Sequence, residues 1–119
     1  MSSIYYDPQK FECTLVDSLD EPNRSYEFNM LIVVDHYGQM YWATDSGCSC
    51  PTPFERIGTL NDMEAITTEA SFRAFQEAVN SFPVEKSEKI RILDNVSSRL
   101  YKPNDIMKEI VNGKNRTNK

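Results

Sequence analysis

A chain of 119 residues with a net charge of −5, 39% hydrophobic and 26% charged, has the size and balance of one domain around one core. Its longest apolar run, Met30 to Val34, falls far short of the ~18 residues of a membrane-spanning helix. The acidic balance disfavours direct nucleic-acid binding, leaving only the short basic end GKNRTNK to touch phosphate weakly.

The opening MSSIYYDPQK has neither the basic nor the apolar region of a secretory signal, so a cytoplasmic protein is expected. The Asn-x-Ser/Thr triplets at Asn23, Asn95 and Asn115 then carry no expectation of glycosylation. KFECTLVD alternates, with Phe11, Cys13 and Leu15 on one face, and reads as a half-buried strand that Ile4 to Tyr6 could extend. DSLDEPNRS has the composition of a loop. YEFNMLIVVD resumes the alternation, placing Tyr26, Phe28, Met30, Ile32 and Val34 on one side. HYG suits a three-residue hairpin loop, and QMYWAT is the return strand. In that register Asp35 faces Gln39, Val34 faces Met40 and Ile32 faces Trp42, which sends the large apolar side chains to one face. Leu31, Val33, Tyr41 and Ala43 are then an outer patch, covered by a further segment or used to bind a partner.

Past DSGCSCPTPFE the period changes. TLNDMEAI is at most a short helix, with Asn61 as cap and Glu64 at the capping-box position. Phe72, Phe75, Val79 and Phe82 form one helical stripe ending at Pro83. A second stripe runs through Ile90, Leu93, Val96 and Leu100, and PNDIMKEIVNG predicts a short third helix closed by Gly113. Strands followed by helices imply an α+β domain over residues 1–113: a three-stranded antiparallel meander, a Cys/Pro loop, and about three helices on one sheet face. Residues 114–119 are expected to be a mobile basic tail. The charge is bipolar, with 13 acids against 4 bases in residues 1–83 and 5 against 9 in residues 84–119. Such a surface either solvates exposed helices or steers a partner or a second copy, as a monomer or weak homodimer.

The Cys/Pro loop is where chemistry would lie. Zinc wants four Cys or His ligands, and the chain offers only Cys13, Cys48, Cys50 and His36. His36, in the hairpin turn, lies roughly 25–30 Å from Cys48 at the far end of the return strand. Cys13 pairs with Met30 in mid-strand. The metal alternative is therefore a zinc shared between two chains through Cys48 and Cys50 of each. A C-x-C disulfide is strained and easily reduced, and a lowered thiol pKa has only Arg56 nearby to support it. Against both stands a pair of reduced cysteines packed as small apolar groups, with Gly47, Pro51 and Pro53 shaping the turn. The lone histidine is misplaced for a cysteine nucleophile, no phosphate-cradling glycine pattern exists, and Asp45 with Glu55 is the one carboxylate pair tied to the loop. No enzymatic activity is expected.

YYDPQKF, SYEF, YWATDSGCSCPTPFE and TLNDMEAI together resemble a family of small uncharacterised bacteriophage proteins, of the kind carried by phages of actinobacteria. The likeness runs from Tyr5 to about Ile66, and DSGCSCP-x-PFE is its distinctive part. It implies a phage product in the host bacterial cytoplasm, and it carries no catalytic residues or cofactor. The expected function is an accessory role, binding a host or phage protein. The expected surface comprises Tyr41, Trp42, Asp45, Cys48, Cys50, Pro51, Phe54 and Glu55. The alternative is a metal- or redox-linked module built on Cys48 and Cys50.

Overall fold

A computed structural model describes residues 3–22, 27–48 (of Cys48 the backbone alone) and 52–100. A short 3-10 turn, Pro8–Phe11, leads into β1 (Thr14–Asp20), β2 (Glu27–His36) and β3 (Gln39–Cys48). A second 3-10 turn at Leu60–Asp62 precedes β4 (Glu64–Ile66), and α1 (Glu69–Ser81) and α2 (Lys86–Leu100) follow. The fold is α+β, with strand order β1-β2-β3-β4 and every neighbour antiparallel.

The expected three-stranded meander is thus a four-stranded sheet. TLND closes on itself instead of starting a helix: the Thr59 hydroxyl accepts from Asn61 N–H, and Asp62 at N3 answers Thr59 N–H. With the capping box spent on one turn, Glu64–Ile66 is free to extend and pair with Met40–Trp42. The start of the first strand also moves. Glu12 takes a left-handed backbone, φ 59°, which ends the 3-10 turn and delays β1 to Thr14. Ile4 is buried but lies in a turn, not a strand. Asp17–Asp20, expected as loop, continues β1 past an irregularity between Leu15 and Asp17. Cys13 consequently sits just ahead of the Thr14–Asp35 pair, near the hairpin, while Met30 faces Asp20.

The hairpin has a two-residue loop. Tyr37 (φ 53°) and Gly38 (φ 92°) both take positive φ, as a type I′ turn requires, and Asp35 Oδ1 accepts Gly38 N–H at 2.7 Å. His36 therefore pairs with Gln39, Val34 with Tyr41 and Val33 with Trp42, one residue away from the expected register. Since side chains alternate, this single step reassigns the faces. Leu31, Val33, Met40 and Trp42 lie under the helices with Phe75, Val79, Ile92 and Val96. Met30, Ile32, Val34 and Ala43 face the other way, under Ile4, Phe54, Ile57 and Met63, with Tyr41 packed beside them. The expected outer patch is divided between the two faces, and both parts are covered. Leu31 and Val33 are fully buried beneath the helices, and Tyr41 and Ala43 are covered by the amino-terminal turn and residues 54–63.

The α1 stripe is as expected, capped by the Thr68 hydroxyl on Ser71 N–H, with Phe75 and Val79 inaccessible. Burying each such side chain contributes about 1.5–3 kcal/mol. On α2 the inward residues are Ile92 and Val96, with Leu93 and Leu100 half-buried, whereas Ile90 points outward at 54% exposure. No described helix is long and apolar enough to cross a membrane. The expected third helix and basic tail lie outside the described residues.

Candidate functional site

β3 carries the chain away from the hairpin to the Cys/Pro loop, and Asp45 holds that loop where it rejoins the sheet. Asp45 Oδ2 accepts Phe54 N–H at 2.7 Å and Oδ1 accepts Ser46 N–H at 3.0 Å. Phe54 needs this grip. Its backbone is left-handed, φ 67°, and its ring is fully buried against the sheet face opposite the helices. Glu55 Oε1 accepts Thr52 N–H at 2.8 Å, closing the turn that Pro53 enters. Both carboxylates of the pair are thus engaged with backbone N–H groups, the work of turn anchors.

Arg56 lies across the same corner. Its Nη2 donates to the Thr44 carbonyl at 2.7 Å, and its Nε stands 3.5 Å from Asp45 Oδ1. Two open clefts share this side chain. One, about 290 Å³, is walled by Trp42, Thr44, Asp62 and Glu64; the other, about 190 Å³, by Phe28, Ser46, Thr52 and Glu55. Asp62 accepts N–H from Gly58 and Thr59, which holds its carboxyl below the usual carboxylate value and keeps it charged. Four carboxylates, Asp45, Glu55, Asp62 and Glu64, thus surround one guanidinium.

The proposed surface residues separate on this geometry. Asp45 and Glu55 come together at the loop's base. Phe54 is interior. Trp42 is half-buried on the helix side, its ring edge-on to Phe75 at 5.8 Å, and Tyr41 is half-buried on the opposite side. Cys48 pairs in register with Glu27 at the far end of β3, and Cys50 and Pro51 lie outside the described residues. His36 is the last residue of β2, opposite Gln39 at the hairpin end, its Nδ1 3.0 Å from the Glu12 carbonyl oxygen. Cys13 is buried, and that burial pushes its thiol pKa up, against reactivity. Among the described residues no three His, Cys, Asp or Glu side chains are grouped to hold a metal.

Sequence reasoning named Arg56 only as a cation near the thiols, and it missed Asp62 as a member of the corner. A signal for Arg56 was present: it is the only Lys or Arg between Arg24 and Arg73, a span that holds seven acids. The T-x-x-D pattern at Thr59 was an equally readable sign of the turn.

A family model described as a domain of unknown function (DUF7574) matches residues 2–103. No curated protein and no solved structure matches the chain.

Proposed function

The chain belongs to the DUF7574 family, and we propose that this member acts by binding a protein partner, with no catalysis of its own. The reading is of a phage accessory protein working in the bacterial cytoplasm on a host or phage protein. The phage origin rests on the resemblance of the DSGCSCP-x-PFE segment. The observation that carries the binding role is the grip of Asp45 on Phe54 N–H. It fixes Phe54 to β3 on a sheet covered on both faces, so that the described residues flanking the Cys/Pro segment are anchored. Loops held in this way by a packed scaffold are the usual carriers of recognition.

The test is affinity capture from host lysate, with and without infection, followed by titration of the purified candidate partner. The full chain is compared with a variant in which residues 46–53 are replaced by glycine and serine. Binding that survives purification and is lost in the loop variant, with an unchanged circular dichroism spectrum, is the expected result. Equal binding by both proteins removes the loop from the function. A C48S/C50S variant that binds normally keeps the thiols out of it, whereas loss of activity in that variant alone would move the function to metal or redox chemistry.

A further inference from the structure

The two edges of the sheet are finished differently, and the difference points to a way of binding. The two-residue hairpin makes His36–Gln39 a hydrogen-bonded pair, and alternation then turns the backbone polar groups of Met40, Trp42, Thr44 and Ser46 away from β2. Those of Met40 and Trp42 meet β4. β4 begins at Glu64, opposite Trp42, and among the described residues no strand continues the pairing past Trp42. The Thr44 carbonyl is taken by Arg56 and Ser46 N–H by the neighbouring Asp45 side chain, both substitutes for a strand.

On the opposite edge the groups of β1 are shut in by α2. Asn95 Nδ2 donates to the Val16 carbonyl and Arg91 Nη2 to the Ser18 carbonyl, while Asp17 Oδ1 accepts Ser18 N–H. Asp17, 11% exposed, ties Arg91 and Asn95 to β1. Arg56 has fewer partners than Arg91: beside its bond to the Thr44 carbonyl it has one ion pair, 3.5 Å long, and its side chain is 57% exposed. It can leave Thr44 at little cost.

We propose that the edge of β3 from Ala43 to Gly47 is a strand-addition site for an extended, basic segment of a partner protein. Arg56 keeps the edge closed until the segment arrives. This rests on the protein-binding reading and supplies its mode: main-chain bonds give affinity and alternate side chains give selectivity. Five residues at about 3.3 Å each offer a footprint of roughly 17 Å, long enough for a short peptide in line with β4. The rim chooses the charge. Glu55, Asp62 and Glu64 flank the cleft and Arg56 is its one cation among the described residues, so lysine and arginine side chains are favoured there.

The test uses the 15N-labelled full chain and a capped octapeptide of alternating lysine and valine. Its controls are the same peptide N-methylated at alternate amides and a glutamate–valine version. The expected result is saturable binding with slowed exchange of the Thr44 amide hydrogen, loss of binding on N-methylation, and much weaker binding of the acidic peptide. R56A should tighten binding roughly two- to tenfold, the worth of one hydrogen bond no longer in competition. T44P, which removes an N–H that points away from β2, should abolish it. Equal binding of the N-methylated peptide, shifts confined to another surface, or a Thr44 amide already protected in the free chain would each overturn the proposal. The last would mean that the chain's own residues cover the edge. The measurement needs no native partner, so its failure is separate from that of the protein-binding reading. A captured partner that binds T44P at full affinity likewise ends strand addition and leaves that reading standing.

Discussion

The side-chain amide of Asn95 on α2 donates to the carbonyl of Val16 on β1, 3.2 Å away across 79 residues of sequence. Val16 stands between Leu15 and Asp17, where the β1–β2 register shifts, and the second bond from Asn95, to Asp17 Oδ2, holds the same irregularity. An irregular strand leaves backbone groups without ladder partners, and a helix side chain that supplies one fixes both elements. N95A should lower stability by about 1–2 kcal/mol in urea unfolding, more than an exposed helix substitution costs. An unchanged midpoint would mean that water replaces the amide without loss.

D45A should act on stability as well as on binding. It leaves Phe54 N–H without its acceptor at the edge of a buried ring, a loss of about 1–3 kcal/mol. D45N retains a carbonyl oxygen and should recover about half. If D45A melts with the unsubstituted chain, the loop is held by the burial of Phe54 alone.

The hairpin gives a conformational test. Gly38, at φ 92°, has open space around an added Cβ, so G38A should cost only backbone strain, about 1–2 kcal/mol. At φ 53° Tyr37 holds a position where asparagine is at ease, but its hydroxyl donates to Glu12 Oε1 at 3.3 Å. Y37N should therefore fall within about 0.5 kcal/mol of the parent. A large loss would show that the Tyr37 contacts, not the turn, hold this end of the sheet.

The same turn marks the limit of what the sequence made legible. The alternation in β2 and β3 and the Phe72–Phe75–Val79 stripe are local patterns, and they give those three elements and the α+β class, but not β4. The faces of the sheet depend on whether Tyr37 accepts a positive φ, a choice helped by Glu12, 25 residues away. A one-residue register step cannot be read when both strands carry apolar residues on both faces, as LIVV and MYWA do. The candidate site shared this fate. Asp45 and Glu55 were visible as a pair beside the loop, but the burial of Phe54 depends on its left-handed backbone and the opposite sheet face. Ile90 was misplaced for a related reason: its helix offers Ile90, Ile92 and Leu93 in four residues, and only packing selects among them.

Acid should loosen the corner around Asp62 late. Backbone N–H bonds from Gly58 and Thr59 depress its pKa in the folded chain. A carboxyl with a depressed folded pKa contributes stability that is present above its unfolded value and is lost as pH falls through the folded one. Stability should thus decline below the ordinary value of 3.8. D62N should flatten this part of the curve in urea melts taken between pH 2 and 5, and an unaltered curve would assign the acid transition to other carboxylates.

Base should act through Cys13 and Tyr5, whose folded pKa values are both raised, chiefly by burial. A raised folded pKa means the folded chain keeps its proton longer. The stability it contributes is full below the unfolded value and is lost as pH rises through the folded one. For the thiol that window opens above the ordinary 9.0. Cys13 should react with iodoacetamide at pH 8 at least tenfold more slowly in the folded chain than in urea, because burial lowers both access and thiolate fraction. C13A should remove the thiol's share of the alkaline decline, leaving the phenol's. Alkylation of Cys13 at the same rate in both states would place the segment from Phe11 to Thr14 in frequent local opening, and the cover that it gives the sheet would then be transient.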